Sequence, residues 1–260
     1  MAMDASHFSM VGFQVDMHSQ AGVDQAVQRH LAGCTPSDLP PPNLVCRVRD
    51  PSGGELTIGL IRGAEGQAEF ATLNPGFAGE GRARVEIVAD VSDAEWTPFE
   101  VTVSARFAGE ETPLVLDLAD PEQADRLKPG AKVVVDIAAF GFEPAVYADE
   151  AAFGKSQAKA KVRFASNFFI PIGLFAETVG GTLSADGRPT AYADFAGKVL
   201  KAELRTNQAG SGRFWWALVE TYGGATVDVV IDPRTIRRDP RPGSIVTGRF
   251  WLSARLAPGT

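Results

Sequence analysis

Apolar and polar residues alternate most clearly in the last quarter of the chain, where the pattern predicts four β-strands. Residues 198–205 alternate as expected of a half-buried strand, and a glycine-containing turn follows. In Phe214–Val219 both alternating sets of side chains are apolar, so we expect this strand to be covered on both faces. Thr226–Ile231 is β-branched and ends at Asp232-Pro233, because proline cannot donate to a ladder. Ile245–Leu252 is the fourth predicted strand.

The N-terminal region predicts one helix among short strands. Residues 8–15 are rich in apolar and aromatic side chains and predict a strand. After Ser19, apolar residues recur every four positions, which predicts a helix that ends near Gly33. Further short strands are expected, the first two joined by a hairpin turn at Gly53-Gly54: residues 44–48, 56–61 and 68–73.

In the middle of the chain, predicted strands and turn residues follow one another in the same order as in the C-terminal region, which predicts a weak internal repeat. Asp120-Pro121 and Pro129-Gly130 bracket a polar crossing, as Asp232-Pro233 and Pro242-Gly243 do later. Side-chain identities do not repeat, so two unrelated but similar β modules would produce the same pattern. The strands expected here are Arg84–Val91, Phe99–Ala105, Leu114–Leu118 and Lys132–Ile137.

Residues 141–190 differ in composition from the β regions on either side, which predicts a connector between them. The stretch from residue 144 to 160 is alanine-rich and predicts a short helix. Val162–Phe175 carries four phenylalanines, so it is too apolar for a free linker. We expect it to pack against the strand that bears Trp215 and to join the modules rigidly. A ligand pocket and an exposed self-association patch are the alternatives.

The strand order resembles the OB-fold, a small partly open barrel, over residues 82–140 and 195–256. The predicted fold class is therefore mainly β with minor α, with two small antiparallel OB-like barrel modules. The modules are residues 1–140, barrel-like from 82, and residues 191–260. The resemblance implies a binding face on residues 214–221 and 225–231. Trp215, however, alternates with Ala217 and Val219, which indicates a buried contact rather than a base-stacking platform.

Charge divides the 260-residue chain unevenly. Residues 1–190 carry 15 lysines and arginines against 26 acidic residues, whereas residues 191–260 carry 10 against 6, within a net charge of −7. This asymmetry fits docking of the two halves, a homo-oligomer, a polyanion partner or a plain solvated surface. The candidate binding residues are Arg213, Trp215, Arg234, Arg237, Arg238 and Arg241.

Residues that commonly carry chemistry are few and scattered. Cys34 and Cys46 are interpreted as two ordinary thiols, because their spacing fits no Cys-x-x-Cys site. The three histidines, His7, His18 and His30, with Asp4, Asp16 and Asp24 nearby, match no metal-ligand spacing and are expected on the solvated surface. Glu220, Asp228 and Asp232 could pair as carboxylates, but Asp232 before a proline is more simply a turn residue. No catalytic residue, metal or cofactor is predicted.

The sequence favours a binding or protein-interaction role over catalysis, with an unidentified protein or a second copy of the chain as partner. One alternative is single-stranded nucleic-acid binding through the arginine-rich C-terminal module, which is possible but not favoured. Another is a small-ligand or hydrolytic site in a cleft between the modules. The chain has no apolar run near 18 residues and no secretion-signal pattern at its start, so we expect a cytoplasmic protein without a membrane partner.

Overall fold

The computed structural model describes residues 6–63, 66–93, 95, 98–174 and 187–257. Within these ranges the fold is mainly β, as predicted. The strands are β1 (Thr35–Asp38), β2 (Asn43–Arg49), β3 (Gly54–Arg62), β4 (Ala68–Phe77), β5 (Ala83–Asp90), β6 (Thr102–Phe107), β7 (Pro113–Leu118), β8 (Lys132–Gly141), β9 (Ala145–Tyr147), β10 (Phe169–Ile170), β11 (Tyr192–Thr206), β12 (Arg213–Glu220), β13 (Thr226–Ile231) and β14 (Ile245–Leu256). The helices are α1 (Gln20–Leu31) and α2 (Glu150–Ser156).

Both α-helices begin at a side-chain cap. The hydroxyl of Ser19 accepts a hydrogen bond from the backbone N–H of Gly22, and the carboxylate of Asp149 accepts one from that of Ala152. The helix expected after Ser19 and the helix expected in the alanine-rich stretch are thereby confirmed. The strand expected at residues 8–15 is wrong, because Ser9–Val11 forms a 3-10 turn and Gly12 has a φ of 79°.

Eight strands close into a barrel in the order β11-β12-β13-β8-β5-β6-β7-β14, with β14 pairing back to β11. Most neighbours are antiparallel, but β13 runs parallel to β8 and β14 runs parallel to β7. β8 also pairs directly with β14. This additional pairing divides the barrel into two five-stranded rings that share β8 and β14.

Each five-stranded ring takes strands from both halves of the chain. One ring contains β5–β8 and borrows β14, whereas the other contains β11–β14 and borrows β8. Within each half, the first strand pairs with the second and with the fourth, and the second pairs with the third. Because each ring needs a strand from the other half, the two β regions form one continuous sheet.

The smaller sheet, in the order β1-β2-β3-β4, covers one outer side of the barrel. Apolar residues of β2, β3 and β4 pack with the N-terminal segment against outward-facing residues of β8, β12 and β13, including Phe140 and Trp216. A separate apolar cluster fills the barrel interior and includes Ala217 and Val219. The expectation that residues 214–219 are covered on both faces is confirmed.

The connector contacts the first half of β11. Phe169 lies opposite Phe195 in the β10–β11 pair, and its ring also meets Phe107 at 5.3 Å between centroids. The outer face of the strand that bears Trp215 is instead covered by the smaller sheet and the N-terminal segment, so the expected packing of the connector on that face is wrong. Phe175, the last of the four phenylalanines, lies outside the described residues.

Cys34 and Cys46 form a disulfide, with their Cα atoms 5.4 Å apart. The interpretation of these residues as two free thiols is therefore wrong. The spacing rule failed because Cys34, directly before β1, is brought beside Cys46 of β2 by the antiparallel β1–β2 pairing, in which Pro36 lies opposite Cys46. Among the described helices, none has the length and apolar character needed to cross a membrane.

Candidate functional site

The predicted arginine cluster is divided between two places on the barrel. Arg213 begins β12 and lies opposite Thr206, the last residue of β11. The turn after Arg241 is hydrogen-bonded to the backbone of Val199, seven residues earlier in β11. A strand rises about 3.3 Å per residue, so these places are roughly 20–25 Å apart. Arg234 binds the carboxylate of Asp232 through its Nε and Nη2 atoms.

The remaining predicted residues do not complete a binding face. Arg237 is exposed, and Arg238 and Arg241 line a pocket together with Asp239. Trp215 is half-buried and packs against the barrel interior, which agrees with a core contact. Of the three carboxylates considered from the sequence, Glu220, Asp228 and Asp232, none lines this pocket or the cavity described next.

A different place, between the smaller sheet and the barrel, forms a cavity of about 260 Å³. This volume is slightly below the roughly 300–1,000 Å³ usual for small-molecule sites, which suits a compact ligand. Its polar lining includes three carboxylates, one arginine, one tyrosine and one tryptophan: Asp93, Glu100, Asp117, Arg188, Tyr192 and Trp251. We call it the acidic cavity.

Asp117, on β7, is held by two side chains. Its Oδ1 accepts a hydrogen bond from the Thr102 hydroxyl at 2.6 Å, and its Oδ2 accepts one from the Trp251 indole N–H at 2.5 Å. Burial raises the pKa of Asp117, against the opposing effect of these two hydrogen bonds. The carboxyl group therefore has a fixed orientation and an environment in which its charge is costly.

Tyr192 and Trp251 face each other across the β11–β14 pair and both line the acidic cavity. Burial and the nearby charge of Asp117 raise the pKa of the Tyr192 phenol, which keeps it protonated as a hydrogen-bond donor. In the described part of the chain, the Tyr192 hydroxyl has no hydrogen-bond partner. It is thus a second polar group available to a molecule in the cavity.

His7 packs against the indole ring of Trp251. Its imidazole stacks on the indole at 4.7 Å between ring centroids and meets Phe142 edge-on at 4.4 Å. Burial lowers the pKa of His7 to about 4, so the ring is neutral at physiological pH. The expected solvated position is wrong for His7, and also for His30, which is buried against Phe13. His18 is exposed, as expected.

The other charged residues of the cavity are only partly compensated. Arg188 lies 3.2 Å from Asp93 in an ion pair and also donates to the Ser92 carbonyl. Glu100 accepts a hydrogen bond from the Asn74 amide at 3.2 Å. Neither Asp117 nor Glu100 has a lysine, arginine or histidine ion-pair partner among the described residues. The lining therefore has excess negative charge when its carboxylates are ionised.

A second buried aspartate, Asp228 on β13, resembles Asp117 but lines neither the acidic cavity nor the pocket beside Arg238. Its Oδ1 accepts from the Trp216 indole N–H at 2.8 Å and from the Glu80 backbone, and its Oδ2 accepts from the Gly81 backbone at 2.8 Å. Burial raises the pKa of this carboxyl group as well. The segment with Glu80 and Gly81 covers Asp228, so this carboxylate has a structural role: it links that segment to β12 by hydrogen bonds.

Sequence reasoning did not identify the acidic cavity. Asp117 interrupts the apolar run at residues 114–118, and a carboxylate inside a predicted strand is a signal that could have been followed. Nothing local marks Glu100 or Tyr192, because they reach the cavity only through contacts between segments that are distant in sequence. Across the described ranges, no group of three or more histidine, cysteine or acidic side chains is arranged to hold a metal ion.

Comparison of the chain with protein-family models finds no match, and comparison with curated proteins finds none either. The functional proposal therefore depends on the geometry of the acidic cavity alone.

Proposed function

We propose that this protein binds a small polar molecule in the acidic cavity. The observation that supports this most directly is Asp117, a desolvated carboxyl group held in one orientation by Thr102 and Trp251 at the cavity wall. Preformed cavities with an apolar lining and a few oriented polar groups are typical of ligand sites. The cavity is lined by residues of β3, β4, the barrel and the segment before β11. It therefore lies between regions distant in sequence, as expected of a cleft between modules.

Fixed hydrogen bonds give this site an intrinsic reporter. The indole N–H of Trp251 donates to Asp117, whereas that of Trp216 donates to the covered Asp228. In a ¹⁵N-labelled sample, a molecule that enters the cavity should shift the Trp251 indole signal and leave the Trp216 signal in place. The probe is a set of water-soluble fragments of about ten heavy atoms that includes neutral, cationic and anionic members.

Binding in the cavity should depend on its polar groups. Asp117→Asn and Tyr192→Phe should each weaken fragment binding, while Asp125→Asn and Tyr222→Phe, matched changes outside the cavity, should leave it unchanged. If no fragment of any charge shifts the Trp251 signal, the proposed function is wrong. Fragments that shift other signals equally in all four variants would place binding elsewhere and contradict it too.

Other functional predictions have less support. Arg213 and Arg241 lie near the end and near the middle of β11, and single-stranded nucleic-acid binding through Arg213, Arg234, Arg237, Arg238 and Arg241 stays a prediction. A protein partner or homo-oligomer also stays a prediction. We propose that each five-stranded ring is an OB-like barrel and that the halves are repeats; the similar pairing order within the two halves supports both ideas.

The disulfide bears on cellular location. A cytoplasmic location stays a prediction, but Cys34–Cys46 supports the alternative proposal of an oxidising compartment, because cytosolic thiols are normally kept reduced. Alkylation of the protein in intact cells, followed by mass spectrometry, tests this. Unmodified cysteines that react only after reduction would support the oxidising compartment, whereas directly alkylated cysteines would contradict it.

A further inference from the structure

Resting on the proposed function, we infer that the molecule bound in the acidic cavity is a small organic cation, a protonated amine received by the carboxylate of Asp117. The inference starts from the charges of the lining. Asp93, Glu100 and Asp117 are acidic, and Arg188, which pairs with Asp93 at 3.2 Å, is the one basic residue among the described lining residues. Within the part of the chain that the structure describes, Asp117 and Glu100 remain without a cationic partner.

An uncompensated carboxylate in a desolvated place is unfavourable. Buried charges in proteins are normally paired, or they lose their charge by taking up a proton. The burial of Asp117 therefore favours either a protonated state of the empty cavity or a cation beside the ionised group. An anionic ligand would add a third negative charge to Asp117 and Glu100, so electrostatic repulsion opposes it.

Asp117 has room for a further donor. An ionised carboxylate offers about four lone-pair sites, and Thr102 and Trp251 each use one. An ammonium group has donors but no acceptor, so it can bond the remaining sites and compensate the charge at once. A neutral hydroxyl could make similar hydrogen bonds but would leave the charge uncompensated.

Aromatic walls favour the same ligand class. Phe99, Tyr192 and Trp251 all line the cavity, and the electron-rich faces of such rings attract cations. The available volume of about 260 Å³ limits the ligand to a compact molecule. The acid, the aromatic lining and the size thus agree on a small amine with a modest hydrocarbon body.

Three probes of nearly equal shape separate charge from size: cyclohexylammonium, cyclohexanol and cyclohexanecarboxylate. Titration at pH 7.5, followed by the Trp251 indole signal, should give a dissociation constant at least about tenfold lower for the amine than for the alcohol. The carboxylate should give no saturable shift. The affinity for the amine should also fall as the pH is lowered and Asp117 takes up a proton.

Variants distinguish the acid from the rest of the cavity. Asp117→Asn should weaken the amine at least about tenfold and change the alcohol less than about twofold, while Asp125→Asn should change neither. Glu100→Gln, at an exposed position, gives a second test if Asp117→Asn does not fold, and it should weaken the amine by about threefold or more.

The outcomes separate this inference from the proposed function. If the alcohol or the carboxylate binds as tightly as the amine, or if neutral fragments of the wider set bind and the amine does not, the ligand class is wrong although the cavity still binds small molecules. If no fragment of the wider set enters, both are wrong. An amine affinity that neither Asp117→Asn nor Glu100→Gln reduces also overturns the inference.

Discussion

Two aspartate–tryptophan pairs in the barrel share an indole-to-carboxylate hydrogen bond, one across the parallel β7–β14 pair and one across the antiparallel β12–β13 pair, and they differ in what covers them. Asp117 on β7 lies opposite Ser253, and Asp228 on β13 lies opposite Leu218. In each case the tryptophan that donates its indole N–H is two residues before the aspartate's cross-strand partner, at Trp251 and Trp216. Diagonal neighbours of this kind lie within reach of long side chains.

The covering segment gives the two pairs different roles. Over Asp228, the backbone N–H groups of Glu80 and Gly81 supply further hydrogen bonds and close the site. Beside Asp117, the corresponding space is the acidic cavity. A buried aspartate–tryptophan pair therefore has a structural role when backbone N–H groups occupy the remaining acceptor sites of the carboxylate. It is a candidate binding group when those acceptor sites stay available.

Removal of the two carboxyl groups should show the largest difference between the pairs. Asp228→Ala leaves the Trp216 indole and the Gly81 backbone N–H buried without an acceptor, and should lower the free energy of unfolding by about 3 kcal/mol or more. Asp117→Ala should lower the free energy of unfolding by about 1–2 kcal/mol, because water in the cavity can accept the hydrogen bonds that Thr102 and Trp251 lose. Urea denaturation measures both, and equal losses would contradict the assigned roles.

The aromatic neighbours should make only one pair sensitive to acid. The Arg205 guanidinium lies 3.9 Å from the centre of the Trp216 ring, whereas neutral His7 stacks on Trp251. The pKa of His7 is about 4 when folded and near 6.5 when unfolded, so the unfolded state binds the extra proton first. Stability should therefore fall as the pH decreases from about 6.5 to 4, by up to about 3 kcal/mol.

The variant His7→Phe isolates this effect. Because phenylalanine does not titrate, the acid-dependent loss of stability between pH 6.5 and 4 should be smaller by the contribution of His7. His18→Phe, at an exposed histidine, is the control and should keep the wild-type slope. Thermal denaturation across this pH range measures all three proteins; parallel curves for wild type and His7→Phe would show that His7 is not the cause.

Two glycines test how closely each acid is covered. A Cβ atom at Gly79 would lie within van der Waals overlap of the Asp228 carboxyl group, whereas at Gly76, beside the cavity, the nearest atom would be 3.5 Å away. Gly79→Ala should lower the free energy of unfolding by about 1–3 kcal/mol. Gly76→Ala should change it by no more than about 0.5 kcal/mol. A tolerated Gly79→Ala would mean that the cover over Asp228 is loose.

The smallest expected effect is the pH dependence of Asp117→Asn. Folding raises the pKa of Asp117, so the folded state holds the proton to higher pH than the unfolded state. The stabilisation from protonated Asp117 is complete below the unfolded pKa and is lost as the pH rises through the folded pKa. Relative to wild type, Asp117→Asn should therefore be least stable in acid and gain as the pH rises; Asp125→Asn should show no such trend.

Local patterns were reliable where one segment determined the outcome. The run at residues 226–231 ends at Asp232-Pro233 in the structure as expected, and Ser19 caps α1. The two apolar faces of residues 214–219 correctly indicated cover on both sides. Predictions failed where distant parts meet: Cys34 finds Cys46, and His7 enters an aromatic enclosure formed by Phe142 and Trp251.

By itself, the sequence determined which segments extend, which turn and which faces must be buried, because alternation, proline and capping act over a few residues. The tertiary structure alone decided that β8 and β14 are shared between two rings, that the arginines separate and that Asp117 meets Trp251 beside a cavity. These outcomes depend on strand pairing and on what covers each carboxyl group, and neither is encoded in the spacing of neighbouring residues.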